Sequence, residues 1–163
     1  MLHFGGKPPF PFAEFIRRCY EFIPQSEAAI LEEIPVLARG FYEGKQPILK
    51  RWQEFETALR NELVKIRSSH RHIDPARFLR PTDFSDLYLS HLVMTSFRNP
   101  SILETEKTLD EARWRFLEEL SLGHYFDLDA LIVYSLKLLL LERWQKINSA
   151  DKTKVLEETL SSI

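Results

Sequence analysis

The chain has 163 residues, a length that suits one domain and can bury about two-thirds of its unfolded surface. With 44% hydrophobic and 28% charged residues it is composed like a globular protein, which argues against disorder, and its net charge of −2 exerts no global pull toward nucleic acid or anionic lipid. The single cysteine, Cys19, excludes a disulfide within the chain and suits a reducing compartment, and no basic start leads into an apolar stretch, so no signal peptide is expected.

The opening, 1–11, carries Pro8, Pro9 and Pro11, which rule out a continuous helix and predict an extended segment with Phe4, Phe10 and Phe12 pinned to the body. A first helix is expected over about 11–23, because Phe12, Phe15, Ile16, Cys19, Phe22 and Ile23 share one face; Pro24 ends it. Ser26 is placed to cap a short second helix through about Glu33, stopped near Pro35, and a loop follows over "ARGFYEGKQ".

Pro47 suits the first turn of a long helix over 47–70, whose seam is Ile48, Trp52, Phe55, Leu59, Leu63 and Ile66, and whose end frays over "SSHRH". Asp74-Pro75 reads as a cap and first residue of one or two turns before Pro81. A helix is expected over about 83–97. Another, opened by Asn99-Pro100, runs to about Leu122 with Leu103, Leu109, Ala112, Phe116 and Leu120 inward, and Gly123 ends it in the left-handed conformation. Asp127 caps a helix over 127–147 that is apolar on nearly all sides, and Ser149 caps a last amphipathic one bearing Val155, Leu156 and Leu160. No segment has the period of a strand. The expected architecture is all-α: a single domain over 1–163, a compact bundle of six to eight helices around the 127–147 helix.

That helix is the best membrane candidate. Its apolar stretch is too short for a span of about 20 residues and contains Asp129, Ser135 and Lys137. A buried lysine needs either an ammonium that reaches the surface or a carboxylate such as Glu118 or Glu56.

Charge is uneven. Residues 47–81 hold eight Lys/Arg against four Asp/Glu, and residues 82–163 hold nine against fourteen. Ordinary solvated faces are the first reading of this asymmetry; one basic and one acidic docking surface is the functional alternative.

Chemistry is sparse. His70 and His72 are two apart and point to different sides of a helix; Asp127 and Asp129 near His124 are explained by capping and the helix dipole. Cys19 sits on an apolar face. There is no nucleophile elbow, and Gly5-Gly6-Lys7 lacks the spacing of a phosphate loop. Glu118 and Glu119 form an acid/base pair only if burial raises a pKa. No metal or cofactor is expected. A nucleic-acid adaptor built on Arg60–Arg80 would have Phe78 alone for stacking, so no nucleic-acid partner is expected.

Every tryptophan follows an arginine: Arg51-Trp52, Arg113-Trp114 and Arg143-Trp144. Three core anchors with boundary arginines are expected, the arginines pairing with Glu56, Glu118 or Glu142; a pseudo-repeat or an exposed aromatic–cation patch are the alternatives.

These dipeptides belong to longer strings: "RWQEFETALRN", "DPARFLRP", "DEARWRFLEEL", "GHYFDLDALIVYSLKLLLLERW". Over about residues 7–147 the chain resembles a bacterial family without assigned activity whose genes lie among those for V-type ATP synthase subunits. The opening differs, lacking the tyrosine-rich apolar start associated with that family. The resemblance implies the place of the funnel-shaped, all-helical subunit that couples the central stalk to the membrane ring. The expected function is therefore a non-catalytic stalk or accessory subunit, cytoplasmic or peripheral to the membrane through the ATPase, with other V-type ATP synthase subunits as partners. Its structural and interaction residues would be Arg51, Trp52, Glu56, Arg60, Arg113, Trp114, Glu118, Lys137, Arg143 and Trp144. The alternative is a small-molecule-binding or catalytic helical bundle with Glu56, Arg60, Glu118 and Lys137 around an internal polar site.

Overall fold

The computed structural model describes residues 2–37 and 44–161, with side chains through residue 150. The described residues are all-α, as expected: helices α1 (Phe12–Phe22), α2 (Gln25–Leu37), α3 (Pro47–Arg71), α4 (Leu87–Ser96), α5 (Ile102–Leu120) and α6 (Leu128–Ser161), a 3-10 turn at Pro75–Arg77, and no strand. None of these helices is long and apolar enough to cross a membrane. Contacts gather the chain into two compact units, one from Met1–Leu37 and Gly123–Ile163, the other from Ala38–Leu122.

In the first unit α1 and α2 pack on α6 and on each other. Four consecutive α6 residues, Ser135 to Leu138, are buried, as a helix apolar all round requires. The aromatic opening is tied down as its composition predicts. Phe4 meets Trp144 edge-on, and Phe10 lies against Phe15 and Tyr134. The N-terminal amide of α1, which has no partner within its helix, donates from Phe12 to Glu142 Oε1 at 2.7 Å. Ile23, restricted by the proline after it, turns extended and ends α1.

Two boundaries differ from expectation. The Pro24 carbonyl accepts the first amides of α2, so Ser26 lies inside the first turn and does not cap it. Pro35 does not stop α2, because a proline one turn from a helix end forfeits a single hydrogen bond. The third difference is larger. No helix starts at Ser149: α6 is continuous to Ser161, and the Ser149 hydroxyl donates back to the carbonyls of Gln145 and Lys146 at 2.6 and 3.1 Å. With neither glycine nor proline between 128 and 161, nothing interrupts the helix. The expected apolar face of Val155, Leu156 and Leu160 lies outside the described side chains, and much of the loop expected over 38–46 lies outside the described residues.

In the second unit α4 packs on α3 and α5. Trp52 and Phe55 of α3 stack on Phe116 of α5, with Phe84 edge-on to Phe55 and Phe116. Phe84 stands outside any helix, since α4 starts at Leu87 and not at 83. The Thr82 hydroxyl accepts the Phe84 amide and bonds the Glu54 carbonyl, holding this stretch extended until Asp86 caps α4. The cap of α5 is likewise Ser101, not Asn99: Asn99 accepts the Ser101 amide, and Ser101 accepts that of Glu104. The end of α3 does not fray. His72 adopts the left-handed conformation (φ 55°, ψ 39°), and the next amide, of Ile73, returns to the Ser68 carbonyl at 3.0 Å.

Candidate functional site

The densest polar constellation lies inside the second unit. Glu56 and Arg60 are one turn apart on α3, and Asp110 and Arg113 one turn apart on α5, so helical spacing alone presents each acid beside a base. Packing of α3 on α5 joins the pairs. Arg113 Nε donates to Glu56 Oε1 at 2.5 Å, Nη2 to Oε2 at 3.4 Å, and Nη1 to Asp110 Oδ1 at 2.7 Å. Arg60 reaches Glu56 at 3.6 Å from the half-exposed edge. Asp110 is completely buried and Glu56 nearly so. Burial by itself would lower the Arg113 pKa; the carboxylates of Glu56 and Asp110 outweigh it and raise the pKa above the ordinary arginine value. A guanidinium forked across two carboxylates holds two helices in register and leaves each acid with a partner.

The other residues singled out in the sequence are placed as follows. Trp52, Trp114 and Trp144 are all buried. Trp114 Nε1 donates to Glu118 Oε1 at 2.9 Å, whereas the buried Trp52 Nε1 has no hydrogen-bond partner among the described residues. The arginines diverge: Arg113 enters the ion cluster, while Arg51 and Arg143 are exposed. Lys137 is buried on α6 in the first unit, and Glu118 is exposed on α5 in the second. Asp110, with no role in the sequence reading, is as central as Glu56. Its position three residues before Arg113 was the available signal.

At the start of α6, Asp127 caps the helix through the Ala130 amide and takes His124 Nδ1 at 2.6 Å; the hydrogen bond from His124 lowers its pKa. Asp129, 3.8 Å from the same ring, has its pKa raised by burial. The described residues contain no group of three or more His, Cys, Asp or Glu side chains arranged to hold a metal ion. Burial also raises the Cys19 thiol pKa, which disfavours the reactive thiolate.

Open hollows flank the second half of α3. One of about 470 Å³ runs between α3 and the 79–90 segment, past Asn61, Thr82 and Ser90. A second, of about 280 Å³, lies between Arg60, Arg67 and Arg80 over Leu63, Val64 and Phe78. A third, of about 450 Å³, is lined by Ile66, Met94 and Phe97 and edged by Lys65, His70 and Arg98. None of the three is lined by Glu56, Asp110, Arg113, Glu118 or Lys137. The four residues proposed for an internal polar site are thus not gathered in any of these hollows, and only Arg60 lines one.

Neither a curated protein nor a solved structure is significantly similar to this chain. A family match spans residues 81–163, from the extended stretch before α4 to the end of the chain, and takes in Arg113, Trp114, Glu118, Lys137, Arg143 and Trp144. By that match the chain belongs to the family described as "Protein of unknown function (DUF2764)".

Proposed function

We propose that this protein is a non-catalytic, cytoplasmic accessory subunit of a V-type ATP synthase, a helical part that binds other subunits and couples or assembles them. The observation that carries the reading is the closure of the Glu56–Arg113–Asp110 cluster. The most concentrated ionisable groups of the second unit are spent on each other at 2.5–2.7 Å, in a helix-to-helix tie suited to bearing load. The uneven distribution of charge along the chain adds to it, since opposite-signed surfaces serve association. The tie to the V-type enzyme rests on the resemblance of the strings around Arg51-Trp52, Arg113-Trp114 and Arg143-Trp144.

The test is co-purification. Full-length protein carrying an affinity tag, expressed in its native host at native level, should bring down subunits of the soluble sector or central stalk in a fixed ratio. Isolation of the complete, active enzyme without this protein overturns the reading.

A further inference from the structure

The three-arginine hollow of the second unit has features that the ion cluster lacks. Arg60, Leu63, Val64 and Arg67 fall on one stripe of α3, with the two arginines seven residues, or about 10 Å of helix, apart. The third arginine, Arg80, comes from the extended chain, and its backbone is fixed to the same helix. Asn61 Nδ2 donates to the Arg80 carbonyl at 2.8 Å, and Asn61 Oδ1 accepts the Arg80 amide at 3.0 Å. Phe78 is 57% exposed beside them, and no carboxylate lines the hollow. Arg60 also reaches Glu56 at 3.6 Å; the hollow is basic at its rim and apolar at its centre, with the Arg80 backbone held against α3.

Its shape selects among anions. At about 280 Å³ and open to solvent, it falls below the enclosed volumes, roughly 300–1,000 Å³, that bury small molecules. One exposed ring offers little stacking to a nucleic-acid strand, and the chain as a whole is acidic. Two arginines seven residues apart on one helix stripe, with Leu63 and Val64 between them, match a second helix that carries carboxylates at i and i+7 and leucine or phenylalanine at i+3 or i+4.

We propose that the hollow between Arg60, Arg67 and Arg80 is a docking site for an acidic amphipathic helix of a protein partner. The inference rests on the reading of this chain as a subunit-binding protein and names the chemistry of one partner segment.

The experiment is fluorescence anisotropy with the full-length chain and a labelled synthetic helix of about 18 residues, bearing Glu at i and i+7 and Leu at i+3 and i+4. Binding is expected at about 50 mM salt, weakening several-fold at about 500 mM. Arg67→Glu and Phe78→Ala, both at exposed positions, should each weaken it roughly tenfold while leaving the far-ultraviolet circular dichroism unchanged. A peptide with Lys in place of the one Glu that faces position 67 should regain binding to Arg67→Glu. No binding at low salt overturns the proposal, as does binding indifferent to both substitutions. Competition by inorganic phosphate or an oligothymidylate at equal anion concentration does so too, because it would mark an unselective anion site. Co-purification with the V-type enzyme is read independently, so loss of the peptide result and loss of the enzyme association are separate outcomes.

Discussion

Arg113 has two carboxylates within 2.7 Å and little contact with water. Replacing it by methionine fills most of the space but strips the nearly buried Glu56 of its closest cation. Arg113→Met should therefore cost about 3–5 kcal/mol, read as a fall in the urea midpoint at unchanged slope. Changing Glu56 and Asp110 to leucine in the same chain should recover most of that loss, since paired buried charges are often replaceable by apolar groups. The tryptophans allow a contrast at the same scale. Trp114→Phe removes a hydrogen bond to Glu118, whereas Trp52→Phe removes a buried N–H with no partner among the described residues. Both lose ring area, so Trp114→Phe should be the more destabilising by about 1 kcal/mol. Equal effects in thermal unfolding would mean that neither indole N–H matters. Which carboxylate Arg113 would meet was only partly legible. Glu56 was among the three acids expected for the arginines, but Asp110 was not, because a polar residue one turn from an arginine reads as solvated until a second helix covers it.

Helix ends supply the next scale. His72 closes α3 in a conformation that an L side chain adopts at a cost of roughly 1–2 kcal/mol. Glycine at that position relieves the strain but leaves a more flexible unfolded chain. His72→Gly should gain a net ~0.5–1 kcal/mol and raise the melting temperature by a few degrees. The caps show where local reading succeeds. Asp74 and Asp127, both expected as caps, accept an amide two and three residues on, a contact confined to a short stretch of chain; Asp86 caps α4 against the expected start at about 83. Ser26, Asn99 and Ser149 show where it fails. Each has the right chemistry for a cap, but α2 starts on the Pro24 carbonyl, the Ser101 hydroxyl takes the Glu104 amide, and Ser149 lies inside an unbroken helix where its hydroxyl donates to Gln145 and Lys146.

For the molecule as a whole, the contiguous unit Ala38–Leu122 contains its own aromatic stack, its own ion cluster and the Asn61–Arg80 clasp. A fragment spanning 44–122 should therefore fold alone, giving a cooperative thermal transition and near-ultraviolet circular dichroism from Trp52 and Trp114. Its size is near the lower end of what a single core sustains, so its melting temperature should lie below that of the full chain. Absence of a near-ultraviolet signal would show that the unit depends on the rest of the protein. The first unit, built from two distant stretches of chain, has no contiguous fragment to test in this way.

The sequence by itself determined the all-helical class, the approximate course of α1, α3 and α5, the start of α6, and the burial of all three tryptophans. Those follow from apolar spacing of three and four, which acts within a few residues and needs no knowledge of neighbours. Only the tertiary structure decided that Asp110 is buried, that Arg113 joins Glu56 and Asp110 in one ion cluster, and that Asn61 clasps Arg80 beside an arginine-lined hollow. These depend on which helix face meets which, and a contact between residues 57 positions apart, as for Glu56 and Arg113, leaves no periodic trace in the chain.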